Sequence, residues 1–101
     1  MTEFYDKSVE PLGEVGVPRQ LIAGSASSNT ALTTSVRRIS MRAVGADIRF
    51  SIGTGSQTAH GNDSHYIANG ERLDFAIPKN ANIAVIRDGT VNGTLELTEL
   101  I

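Results

Sequence analysis

From Gln20 onward, apolar residues fall on every second position in short runs separated by turn formers. Ile39, Met41 and Ala43 alternate with polar residues in "VRRISMRAV", Ile48, Phe50 and Ile52 in "ADIRFSIG", and Leu73, Phe75 and Ile77 in "ERLDFAIP". Ile83 and Val85 continue the pattern in "NIAVIR", and Leu95 and Leu97 in "GTLELTEL". A period of two places each set on one side of a strand. Together with "QLIAG", the Ser-rich "SASSNTALTTS" and "SHYIA", these runs recur at the spacing of an antiparallel sandwich or barrel, and no segment sustains helical periodicity. The pattern predicts one all-β domain over residues 20–101, with the alternating residues inward. Residues 1–19 carry two prolines, two glycines and scattered apolar residues, and are predicted to form an extended N-terminal arm.

Turn residues suggest how the strands pair. With Gly45-Ala46 as a two-residue turn, Ala43 faces Ile48, Met41 faces Phe50 and Ile39 faces Ile52. Asn69-Gly70, the strongest two-residue turn signal in the chain, would set Tyr66 opposite Leu73 and His65 opposite Asp74. A five-residue loop at "DGTVN" brings Ile83 and Val85 to the same face as Leu95 and Leu97.

The first hairpin would carry Arg42 directly opposite Arg49 on its outer face, with Arg38 two positions along, and like charges so placed disfavour pairing. Either Asp74 or Glu96, which alternate outward, neutralises them within the molecule, or an acidic surface on a partner protein docks over them. No aromatic residues interleave with these arginines to stack on bases, which argues against nucleic acid.

"GTGSQTAHGNDSH", residues 53–65, concentrates glycine, hydroxyl and histidine residues. It lacks the lysine and following helix of a phosphate-binding loop, and no later glycine completes a dinucleotide fingerprint. His60, Asp63 and His65 could gather a metal or serve a small enzyme, but their spacing matches no compact ligand motif, and no nucleophile and base stand together. The loop reads as a polar connection at one end of the sheet, with no metal and no cofactor expected.

A chain of 101 residues without cysteine has no disulfides or thiolate metal sites. Its formal charge of −2 supplies no global attraction to nucleic acid. The N-terminal residues show no signal-peptide pattern and no segment reaches the length of a membrane span, so a soluble protein made in a cytoplasm is expected, without membrane partners. The sequons at Asn62-Asp63-Ser64 and Asn92-Gly93-Thr94 are read as accidental in that setting.

The run from "RRISMRAVGADIRFSIG" through "HYIANGERLDFAIP" to "NIAVIRDGTVNGTLELTEL" resembles small bacteriophage virion proteins, over roughly the last two-thirds of the chain. The shared features are a strand, a Val-Gly turn, a strand like "ADIRFSIG", a polar loop, a strand closing on "IANGE", and a terminal β segment. The resemblance implies a jelly-roll-like β-sandwich within a phage particle, either decorating and cementing the capsid or sitting at the head-to-tail junction. It carries over no catalytic residues. The function expected is therefore non-enzymatic: capsid decoration first, with a head–tail junction protein or a tail-associated receptor-binding module as alternatives. The expected partners are capsid or other virion proteins, or further copies of the chain. On physical grounds, Phe4, Tyr5, Val9 and Leu12 of the arm and Arg38, Arg42 and Arg49 of the sheet are the candidate partner-binding residues.

Overall fold

The computed structural model describes residues 15–61 and 63–100. Eight strands follow one another: β1 (Val15–Ala23), β2 (Ser28–Ala31), β3 (Arg38–Val44), β4 (Ile48–Thr54), β5 (His65–Ile67), β6 (Arg72–Ala76), β7 (Ala81–Arg87) and β8 (Gly93–Leu100). They form two four-stranded antiparallel sheets, ordered β1-β8-β3-β6 and β2-β7-β4-β5. No helix among the described residues is long and apolar enough to cross a membrane.

The alternation holds residue by residue. Ile39, Met41, Ala43, Ile48, Phe50, Ile77, Ile83, Val85, Leu95 and Leu97 are buried in one core, and Ile52, Leu73 and Phe75 pack half-buried against it. Leu21, Ala23, Leu32, Val36, Ile67 and Ala81 complete the core.

The pairing differs from the sequence-based expectation for a single reason. Strands β3 and β4 lie in opposite sheets, and so do β5 and β6, and β7 and β8. Each of the three expected hairpins is instead a connection across the sandwich. Met41 pairs with Leu73 and Leu97, and Phe50 pairs with His65 and Val85. The turns themselves are where they were expected. Gly45 and Gly70 have φ of 94° and 87°, a region that glycine enters without the Cβ penalty, and the last loop is the five residues 88–92.

The arm boundary also moves. Residues 15–19 belong to β1, while residues 1–14 lie outside the described residues. Pro18 is tolerated there because β1 is an edge strand, and the register shifts between Val15 and Pro18.

The Gly-rich β4–β5 connection lies over a sheet face, where a loop confined to the sheet's end was expected. On β7, Ala84 has the parity opposite to Ile83 and Val85 and so faces outward, flanked by Asn29 and Ser51, yet it is 0% exposed. Gln57 bridges those two neighbours. Its backbone N–H donates to Asn29 Oδ1 (2.9 Å), and its Oε1 accepts the Ser51 hydroxyl (2.9 Å). Further along, the Ala59 N–H donates to Ser27 Oγ (2.8 Å) and Ala59 is buried. The connection is thus a strap across the outer face of the β2-β7-β4-β5 sheet.

At one end of the sandwich the inward row of β8 closes on a charge. Glu99 continues the parity of Leu95 and Leu97 and is fully buried. Its carboxylate accepts the Thr33 N–H (2.9 Å), the Thr33 hydroxyl (2.7 Å) and Arg19 Nε (3.1 Å), tying the β2–β3 loop and β1 to β8. Burial alone pushes this carboxyl up, but the Thr33 hydrogen bonds and Arg19 outweigh it and hold it below the ordinary glutamate range.

At the opposite end Gly93, also buried, lies between β1 and the β3–β4 turn. A Cβ added there would come within 3.1 Å of Ala46 Cβ, 3.2 Å of Ala46 N and 3.3 Å of Val44 O. Two of those atoms are backbone and cannot rotate away. Gly93→Ala should therefore cost about 1–3 kcal/mol in urea unfolding, as overpacking does. A loss below about 0.5 kcal/mol would mean that the turn yields freely.

Candidate docking surface

Four connections gather at the Gly93 end: residues 24–27, 45–47, 68–71 and 88–92. Backbone bonds join them, Arg87 N–H to Gly24 O (3.0 Å) and Asp88 N–H to Asp47 O (3.0 Å). Side chains complete the joint. Asp47 accepts the Asn69 N–H (2.8 Å), Asn69 Oδ1 accepts the Gly45 N–H (2.9 Å), and Arg87 donates to Asn92 Oδ1 (2.7 Å). The Asn69 N–H and then the Tyr66 hydroxyl hold the Asp47 carboxyl below its ordinary value, and the bond to Asp47 is the main cause that raises the Tyr66 phenol. Most polar groups here bind other loops, which makes this end a fixed platform.

The platform carries exposed aliphatic side chains. Ile22, Thr94 and Val44 form one outward row across β1, β8 and β3. Ile22 is 61% exposed and Val44 40%. Val91, 62% exposed, rises from the adjacent loop and lines a shallow cleft of about 330 Å³ with Gly45, Ala46 and Asp47. Grouped aliphatic residues on a rigid, polar-rimmed end can bury area against a partner at little cost in ordering.

A second concavity opens where the β5 and β6 edges of the two sheets meet. This groove of about 410 Å³ is lined by Phe50, Ile52, His65, Leu73, Phe75 and Pro78, among others. Phe50 stacks on Phe75 with ring centroids 6.1 Å apart, and His65 lies 5.4 Å from Phe50. His65 therefore packs on an aromatic ring. His60 and Asp63 are exposed, and among the described residues no three His, Asp or Glu side chains gather to hold a metal.

The arginines fall on two faces. Arg49 is on the outer side of the strapped sheet, where it donates to Asp88 (2.8 Å) and to Ser64 O (3.0 Å) and lies 4.8 Å from the Tyr66 ring centroid. Arg38 and Arg42 are on the outer side of the other sheet. The expected contact of Arg42 with Arg49 is thus replaced. Arg42 stands between Arg72 on β6 and Glu96 on β8, so the like-charge pair exists with a different partner, and Glu96 offsets it from the other side. Phe4, Tyr5, Val9 and Leu12 lie outside the described residues.

The aliphatic row went unread in the sequence because it depends on β8 lying between β1 and β3. Its local signals are Ile22 and Val44, apolar residues at the outward parity of "QLIA" and "RISMRAV". Compared with known protein families, curated proteins and solved structures, the chain matches none.

Proposed function

We propose that this chain is a non-enzymatic structural component of a bacteriophage particle, made in the host cytoplasm, that decorates the assembled capsid and cements it. The observation that carries the reading is the exposure of Ile22, Val44 and Val91 at the pinned loop end. The architecture supports it. Consecutive strands alternate between sheets except for β4 and β5, in the orders β1-β8-β3-β6 and β2-β7-β4-β5, which is the order of an eight-stranded jelly roll of two Greek keys, a fold used by viral capsid domains. The polar chemistry supports it too, because Asp47, Asp88, Gln57 and Glu99 all hold loops in place.

The mechanism is mass action. A protein that binds the assembled shell and not its separated subunits stabilises the shell in proportion to its occupancy, and repeated sites multiply the effect. The aliphatic platform supplies the contact area, and its prior rigidity lowers the ordering cost of binding.

Particles banded on a density gradient, from cells producing the chain in its native genetic setting, should contain it at a copy number close to that of the shell protein. A single ring's worth of copies per particle would assign it to the head–tail junction instead. Absence from the particles overturns the proposal. Ile22→Asp with Val91→Asp, both at exposed positions, should leave the thermal midpoint nearly unchanged and remove the chain from the particles. Full retention of that variant would exclude this platform as the docking surface.

A further inference from the structure

We infer that the outer edge of β6 is a dimer seam, at which β6 of a second copy pairs antiparallel with Arg72 of each chain opposite Asp74 of the other.

Strand β6 ends the β1-β8-β3-β6 sheet, and among the described residues nothing pairs with its far edge. The bonds Ala43 N–H to Glu71 O and Ile77 N–H to Arg37 O set the phase of the β3–β6 ladder. Main-chain groups alternate along a strand, so Leu73 and Phe75 bond toward β3, while Arg72, Asp74 and Ala76 turn their N–H and C=O groups to the open edge. These three residues are exposed. Such a row is a template for another strand.

The core is also open along this edge. Strand β5 pairs with β4 only at Ile48, Arg49 and Phe50, so Ile52 has no β5 residue beside it. Ile52, Leu73 and Phe75 have inward parity, yet they are half-buried and line the groove between the two sheets.

Charge selects the occupant and its register. A two-fold axis pairs β6 with itself, and hydrogen bonding requires that Arg72, Asp74 and Ala76 meet residues of the same phase. Centring the pairing on Arg72 or on Asp74 sets like charges face to face. Centring it on Phe75 leaves Asp74 opposite Ala76 and brings Pro78, which has no N–H, against Arg72. Centring it on Leu73 sets Arg72 opposite Asp74 twice, once on each side of the axis. The two Leu73 side chains then meet at a non-hydrogen-bonded pair, the closer kind, and extend the inward Leu97–Met41–Leu73 row into the second copy. Charged edge residues ordinarily prevent strand pairing; here they oppose the wrong registers and admit one.

The same register relieves a conflict within each chain. Arg42 stands opposite Arg72, with Glu96 on its other side. Arg72 donates to Ser40 Oγ (3.3 Å), and neither Arg72 nor Asp74 forms an ion pair among the described residues. Across the seam the row becomes Glu96, Arg42, Arg72 and then Asp74 of the second copy, so that an acid flanks the two arginines on each side. Ile22 lies on β1, at the opposite edge of the sheet, and stays outside the seam. The paired segment is short, so the dimer forms reversibly.

Sedimentation equilibrium of the full chain should show a monomer–dimer equilibrium that shifts toward monomer as salt is raised. Arg72→Asp and Asp74→Arg, each alone, should raise the dissociation constant by about tenfold or more, because two attractive pairs become repulsive. Both sites are exposed, so the thermal midpoint of the monomer should hold. Combining the two substitutions in one chain should restore the dimer, and mixing the two single variants should give heterodimers. The chain has no cysteine, so Leu73→Cys should cross-link the dimer across the axis on oxidation. A wild type that stays monomeric at its highest soluble concentration overturns the inference. So does a dimer indifferent to both charge reversals, or one abolished instead by Ile22→Asp with Val91→Asp. These measurements use no particles, so their outcome is independent of the capsid reading.

Discussion

Phe50→Ala should cost about 3–5 kcal/mol of unfolding free energy, the range for emptying a buried aromatic site. Phe50 is 4% exposed, stacks on Phe75 at 6.1 Å with an interplanar angle of 11°, and touches His65 from the neighbouring strand. It lies where the two sheets part at the β5–β6 groove, so its ring joins β4 of one sheet to β6 of the other. Truncation removes the packing and also enlarges the groove, which water can then enter. Chemical denaturation of wild type and variant measures the difference. A loss under about 1 kcal/mol would mean that the site collapses or fills at almost no cost.

Glu99→Ala should cost about 3 kcal/mol, at the lower end of the range for breaking a buried ion pair, because Arg19 is part-exposed and can turn to solvent. The Thr33 N–H and hydroxyl lose their acceptor as well. The pH dependence follows from the sign of the shift. The folded carboxyl titrates below its unfolded value, so its contribution is fully present above the ordinary glutamate range, near pH 4.3. It is lost as pH falls through the lowered folded value. Denaturant midpoints taken through this acid range should fall for the wild type and fall less steeply for Glu99→Gln, which keeps an oxygen acceptor for Thr33 but cannot titrate. Parallel profiles for the two proteins would show that Glu99 does not titrate with unfolding.

Which side chains turn inward was legible in the sequence, and which strands touch was not. Parity is a local property: Ile39, Met41 and Ala43 announce a buried side whatever lies beside it. A turn such as Gly45-Ala46 announces only a reversal, and a reversal serves equally to continue a sheet or to step across to the opposite one. The step wins here because both sheets need inward rows facing one core, and it carries the arginines to separate faces. Glu99 was within reach of the same reasoning. Leu95, Leu97 and Glu99 share parity, and a carboxylate at an inward position requires partners. Residues 15–19 misled for a different reason. Gly16 and Pro18 look like breakers, but an edge strand leaves one row of N–H groups unbonded, so a proline there sacrifices nothing. The Ile22 row could not be foreseen without knowing that β8 threads between β1 and β3.

The pairing of β1 with β8 also bears on how the molecule comes into being. Among the described residues the first strand pairs only with the last, with Leu21 opposite Leu95 and Ala23 opposite Gly93. On a ribosome, β1 emerges well before β8, and that edge waits until the residues up to β8 have been made. Closing so long a loop must be done before the contacts that reward it exist, and this slows folding relative to folds built from neighbouring hairpins. It also makes the first and last described strands a single structural element, so that disrupting β8 strands β1.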